Sequence, residues 1–240
     1  MYFFRLLILI FVACGCGSNG FHGSMRIGID TKWYPIDFGP QTAYVNGYTE
    51  DLLLEMARYS GMTFELVPAN WDALAEGLKE NKYDAILTSM PRYDYNLAKY
   101  DFSENYLDLG PVLILPVGAT QGNLSQLEGK LVGIITNDRS ALILEKHPTI
   151  IIRAYNSIPD LLNAVVVGDV QAALLSKIPA VSFVGDLYAG KLKIVGDPLS
   201  DVGLHLVGPK GKIGRFSKTL EALRKKKALD SFLKKWGLTV

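Results

Sequence analysis

The feature that most constrains this chain is a strand–helix alternation that runs twice. In the first third, short apolar runs alternate with amphipathic segments. Met25–Asp30 and Thr63–Val67 read as strands, and so does Asp84–Leu87; helical patterns begin at Tyr48 and after Asn70. Thr49 fits an N-cap, with Glu50 and Asp51 in the first turn, where the helix dipole favours acids. Leu52, Leu53, Met56 and Tyr59 then share one face, and Gly61 supplies the stop. Thr31–Asn46 reads as a loop rich in aromatics, Pro and Gly. This βαβαβ order predicts a parallel sheet flanked by helices.

The alternation restarts at Leu131–Ile135. It continues through Ser140–Lys146, Ile150–Ala154, a helix capped by Ser157, Gln171–Leu175, Ile178–Tyr188 and Leu192–Val195. A second lobe with its own core is therefore expected. Tyr106–Val117 and Gly196–Asp201 would carry the chain across and back. Two C-terminal helices, near 212–225 and 228–236, are too small to stand alone and are expected to pack on the first lobe.

One stretch carries the chemistry. The apolar run Ala85–Leu87 ends in two hydroxyl residues, Thr88 and Ser89, followed by Met90, Pro91 and Arg92. A buried strand ending in hydroxyls and an Arg is expected at the carboxyl edge of an α/β sheet, where small ligands bind.

Composition narrows the function classes. A formal charge of +1 over 240 residues gives no basis for nucleic-acid binding. The local run Arg224–Lys227 lies on a helical pattern and reads as a solvated face. His22, His147 and His205 are scattered, and neither a metal site nor a Ser-His-Asp set can be argued from them. No cofactor is expected.

The N-terminus reads as a targeting segment. Arg5 precedes the apolar run Leu6–Val12, far short of the roughly 20 residues that span a bilayer. Ala13-Cys-Gly-Cys16 follows, and the whole resembles a bacterial lipoprotein signal. That resemblance implies a signal peptide over 1–15, lipidation (palmitate) at Cys16 with Cys14 as the alternative, and a tether over 16–24. Both cysteines lie here, so no intrachain disulfide is expected in the mature domain.

Several short pieces, in order, make the chain from 25 to 237 similar to the polar amino-acid family of solute-binding proteins that serve ABC importers. They are Gly28-Ile-Asp30, Gly47-Tyr-Thr-Glu-Asp-Leu52, Trp71-Asp-Ala-Leu74, Tyr83-Asp-Ala-Ile86, Tyr100-Asp-Phe-Ser103, Leu127-Glu-Gly-Lys-Leu-Val-Gly133, Pro209-Lys-Gly211 and Lys235-Trp-Gly237. The resemblance implies a type II two-lobed α/β fold, each lobe a mostly parallel sheet flanked by helices. Lobe 1 would take 25–108 and 200–240, and lobe 2 109–199, with a two-stranded hinge near 105–111 and 197–202. It further implies a monomeric receptor that closes on a small amino-acid-like ligand and presents it to a membrane permease.

Carried over residue by residue, the resemblance places Trp33 and Trp71 as an aromatic sandwich, with Tyr34 and Phe38 as neighbours. Asp30 would face the distal end of the ligand, and Thr88, Ser89 and Met90 would form the polar edge. In the second lobe, Thr136, Asn137, Arg139, Ser140 and Ser176 would complete the site. Two positions depart from the family: its carboxylate-gripping Arg falls at Asn96, and its ammonium-binding acid at Ser176. Arg92 and Arg139 are the substitutes the sequence offers for an anion, and Asp30 or Asp138 for a cation. Relatives of this fold include cyclohexadienyl dehydratases, for which Asp30 or Asp138 would have to act as acid or base. They also include sensing receptors, which expect a fused membrane helix and output domain; the sequence read through Val240 has no pattern for either.

Overall fold

The computed structural model describes residues 24–138 and 140–239. The expected signal segment, Cys16, the tether apart from Ser24, and Arg139 lie outside the described residues.

The elements run β1 (Ser24–Ile29), α1 (Thr42–Ser60), β2 (Thr63–Pro68), α2 (Trp71–Lys79), β3 (Ala85–Thr88), α3 (Asp94–Leu97), β4 (Tyr100–Phe102) and β5 (Leu107–Asp108). β6 (Pro111–Pro116), β7 (Leu131–Ile135), α4 (Ser140–Leu144), β8 (Ile151–Tyr155), α5 (Ile158–Val167), β9 (Ala172–Ser176), α6 (Lys177–Gly185) and β10 (Leu192–Val195) follow. β11 (Gly203–Pro209), α7 (Gly214–Lys225) and α8 (Ala228–Lys235) complete the chain. One sheet has the order β2-β1-β3-β11-β4, with β5 also paired to β11; the other has the order β10-β6-β9-β7-β8.

Each sheet is mostly parallel in strand direction, as expected, with a single strand running against the rest: β11 in the first and β6 in the second. β1 is parallel to β2 and β3, and β7 to β8 and β9. β11 is antiparallel to β3, β4 and β5, and β6 is antiparallel to β9 and β10. The cause is topological. β11 and β6 each arrive by crossing from the other sheet, so they enter at the end where the βαβ strands finish and run the opposite way.

Both sheets are covered on both faces, and strand alternation decides which residue goes where. Ala85 and Leu87 join the core beneath α1 and α7, while Ile86 joins Leu74, Leu78 and Tyr83 beneath α2. In the second sheet Val112 and Ile114 face α5 and α6, and Leu113 and Leu115 face the α4 side. Ile178, at the start of α6, is buried in the first-lobe core beside Leu109.

α1 starts earlier than its sequence suggests. It begins at Thr42 after a 3-10 turn over Gly39–Gln41, and buries Val45 and Tyr48 ahead of Leu52 and Met56. Thr49 is therefore no cap. It is buried in mid-helix, where its hydroxyl donates to the Val45 carbonyl (2.8 Å). Gly61 does close the helix, with φ at +66°. The C-terminal helices pack on α1: the Trp236 indole fills the space over Gly47 and donates to Asp51 (2.8 Å).

Ser157 caps α5, accepting from the Asp160 N–H (3.2 Å). Ser157→Ala should lower the free energy of unfolding by about 1 kcal/mol, as read by urea denaturation; an unchanged midpoint would show the cap to be dispensable.

Candidate functional site

The C-terminal ends of β1 and β3 lie side by side, because Ile29 is in register with Leu87. The residues that follow each strand, Asp30 and Thr88–Ser89, therefore share one edge. The first turn of α2 brings Trp71 to the same place. Together with Trp33, Tyr34, Leu74 and Leu87 they line a depression in the first lobe.

Within it, the two tryptophans are placed differently. Trp33 is only 2% exposed and belongs to the first-lobe core, its indole N–H donating to Asn46 (2.7 Å). Its backbone sits at φ +62°, a costly conformation for a bulky residue. The N–H of Trp33 donates to the Asp30 carbonyl (2.9 Å) and its carbonyl accepts from Ile36 (2.9 Å), which holds that turn. Trp33 is thus floor rather than wall. The ring that partners Trp71 is Tyr34, 61% exposed and edge-on to the indole at 6.3 Å. The sequence signal was an aromatic beside Pro35 in a polar loop, but register alone could not say which of two adjacent rings turns outward.

Asp30 follows β1 at this edge. One carboxylate oxygen accepts the Lys32 N–H (2.9 Å), forming an Asx turn, and the residue still lines the depression as the one charged side chain there. Thr88 is buried and its hydroxyl accepts the Met90 N–H (3.2 Å); Ser89 beside it is half-buried.

Arg92 and Met90 do not join this group. The Met90 side chain packs against the α2-side core. Arg92 Nη2 donates to the Ser103 carbonyl (2.8 Å) and Asn105 Oδ1 (2.9 Å), and Nη1 to the Asp201 carbonyl (3.3 Å). Its guanidinium also lies 5.8 Å from the centre of the Phe102 ring. The physical reason is local: the loop after β3 leaves Arg92 beside carbonyls of the returning chain, and fixed carbonyls saturate a guanidinium readily. Asn96 donates to the Pro91 carbonyl (2.9 Å) of its own loop.

The second-lobe set lies at the C-terminal ends of β7 and β9. Thr136 Oγ1 bonds the Tyr155 carbonyl (3.1 Å) and Asn156 (3.0 Å), and Asn137 is exposed with φ at +62°. Ser140 is fully buried, and both its N–H (2.7 Å) and its hydroxyl donate to Asp138. It is therefore a structural partner of Asp138 rather than a free donor, since a short helix starting in the core must satisfy its first N–H groups locally. Ser176 precedes α6 and is in register with Pro111. None of these residues lines the first-lobe depression.

Sequence reasoning passed over His205 and Asn105. His205 is buried in β11, with Nε2 2.9 Å from the Met90 carbonyl and Nδ1 3.2 Å from Asn105 Oδ1. Burial, and secondarily the Arg92 charge, push its pKa down to about 3, against a smaller upward pull from the Met90 carbonyl. A neutral ring carries one N–H, and the shorter contact assigns it to Met90. A lone His in an apolar strand gave no signal of this.

Among the described residues no helix is long and apolar enough to cross a membrane, and no cluster of three or more His, Cys, Asp or Glu could hold a metal ion.

Residues 25–239 match the family model of bacterial extracellular solute-binding proteins, family 3. The L-cystine-binding protein of Escherichia coli K12 is 22% identical over 165 residues, 68% of this chain and 62% of that protein, so the match spans less than two thirds of its length. The L-arginine-binding protein of Pseudomonas aeruginosa is 25% identical over 213 residues, 83% and 82% of the two chains. Among solved structures, the unliganded open L-cystine solute receptor of Neisseria gonorrhoeae superposes with a TM-score of 0.70 at 17% identity, covering 91% of this chain and 94% of that one. At that identity the likeness speaks for the fold, the type II two-lobed binding-protein architecture.

Proposed function

Since this chain belongs to the bacterial extracellular solute-binding proteins of family 3, we propose that it captures a small polar ligand, an amino acid or close analogue, between its two lobes and presents it to an ABC permease. The N-terminal sequence adds to this reading a lipid anchor on Cys16 that keeps the receptor at the cell surface or in the periplasm. The chain acts as a binding protein and not as an enzyme, and as a monomer.

The observation that carries the reading is the first-lobe half-site: Asp30, Thr88 and Ser89 set beside the Tyr34–Trp71 pair at the carboxyl ends of β1 and β3. Its chemistry bears on the ligand. Asp30 supplies the one charge, and Arg92 spends its donors on carbonyls and on Asn105. The first lobe is thus suited to a cationic or donor-rich group lying along two aromatic faces. The carboxylate of an amino acid would have to be met from the second lobe, where Thr136, Asn137 and Arg139 remain the candidates.

A thermal-shift screen of amino acids, peptides and dicarboxylates, followed by isothermal titration calorimetry, tests this, because a ligand of the folded state raises the midpoint by mass action. Trp71→Ala should weaken the best ligand about tenfold, the loss of roughly 1.4 kcal/mol, and Asp30→Asn should weaken it further if that ligand is cationic. A panel that contains no stabilising compound, or binding that ignores both substitutions, would overturn the reading.

A further inference from the structure

Two side chains hold both first-lobe ends of the chain crossings. The Asp201 carbonyl, just before β11, accepts from Arg92 Nη1 (3.3 Å) and Asn105 Nδ2 (3.0 Å). The same Asn105 amide donates to Asp108 Oδ1 (3.0 Å), at the end of β5. Arg92 Nη2 then bonds Asn105 Oδ1 (2.9 Å) and the Ser103 carbonyl (2.8 Å), and Arg224 from α7 donates to the Asn105 carbonyl. On the second-lobe side the Leu199 N–H donates to the Pro111 carbonyl (2.8 Å). Between these fixed points the Leu109 and Gly110 N–H groups both donate to the Val202 carbonyl (2.8 and 3.1 Å), which leaves Gly110 and Ser200 as the last residues before the second-lobe tie. There the crossings touch: a Cβ on Gly110 would lie 2.6 Å from the Ser200 carbonyl. The buried Ser200 hydroxyl has no hydrogen-bond partner among the described residues, so this arrangement of the crossings leaves it unsatisfied by them.

We propose that Arg92 and Asn105 form a clamp that fixes the first-lobe end of the hinge and confines the pivot to Gly110 and Ser200. Arg92 is then a positioning residue for lobe closure, acting through Asp201 rather than on the ligand. The inference rests on the reading of the protein as a receptor whose lobes close. It explains why the cation nearest the ligand edge in sequence is bonded away from it. His205 donates its Nε2–H to the Met90 carbonyl, two residues past Thr88, and its ring lies against Asn105, so the clamp packs beside the loop that follows Thr88.

The test measures the distance between spin labels at Tyr44 and Leu187, both exposed and one on each lobe, in the full chain with Cys14 and Cys16 changed to Ser and no ligand added. The parent should give one narrow distance distribution. Arg92→Ala should lose it to a broad one, and Arg92→Lys, which keeps a donor for Asp201, should restore it in part. Arg26→Ala, which removes a comparable tie to Asp84 and the Asn81 carbonyl in the same lobe, should leave it narrow. Ser200→Gly frees the pivot without touching the clamp and should also broaden it, which keeps the test open if Arg92→Ala folds poorly. A narrow distribution in Arg92→Ala and Ser200→Gly, or equal broadening in Arg26→Ala, would overturn the proposal. Because no ligand is present, a failure here is separable from a failure to find any amino acid that binds.

Discussion

Lowering the pH from 7 to 3 should cost this fold roughly 3–5 kcal/mol through His205 alone, since each pKa unit is worth about 1.36 kcal/mol. The sign follows from the ring's surroundings. In the folded chain burial and the neighbouring Arg92 charge hold its pKa near 3, against an ordinary value of 6.5. Between those values the unfolded chain binds a proton that the folded chain refuses. The stabilisation is complete above pH 6.5 and is lost as the pH falls toward 3. Arg92, on the loop after β3, is the charge that faces the ring; Asn105, the Met90 carbonyl and the Phe102 ring at 5.3 Å complete its surroundings. Urea unfolding of the parent and of His205→Gln at pH 7, 5 and 4 reads the effect. The parent should lose stability more steeply, and parallel curves would show that His205 does not carry the acid sensitivity.

Gly203→Ala, at the start of β11, should cost about 3 kcal/mol, or roughly 6–12 °C in Tm for a protein of this size. The added carbon would sit 2.4 Å from the Asn105 amide and 2.7 Å from the Leu107 carbonyl. Neither neighbour can give way cheaply. Asn105 is held by Arg92, Asp108 and Asp201, and Leu107 is backbone of the strand paired with Gly203–Leu204. The substitution attacks the same polar knot from the strand side, so it should also loosen lobe positions. A Tm within 2 °C of the parent would mean that β5 and β11 can part without loss.

The architecture was legible because alternation and apolar periodicity are local properties, and each lobe repeats them. Which single strand would run against the others was not, since it depends on where a crossing strand enters a sheet far away in sequence. The start of α1 was missed for a related reason. Pro40, Asn46 and Gly47 look like loop punctuation, but Gly47 serves a distant partner, the Trp236 indole, and the stripe Val45–Tyr48–Leu52 continues through it. At the site, the residue types that gather at a sheet edge could be read from Asp30, Thr88 and Ser89. Orientation could not: whether Trp33 or Tyr34 faces out, and whether Arg92 reaches for a ligand or for a carbonyl more than a hundred residues later, is decided by tertiary contacts that leave no local trace.

The insertion of β11 between β3 and β4 also sets an order of assembly. All strands of the second sheet lie within 111–195, one uninterrupted piece of chain, whereas the first sheet needs residues 203–209 to join strands made more than a hundred residues earlier. During synthesis at about 5–20 residues per second, β3 therefore stands with an unpaired edge for on the order of 5–20 s before its partner exists. The compact second lobe can mature in that interval. The first sheet is completed last, when the returning strand reaches the edge that the N-terminal third has been holding open.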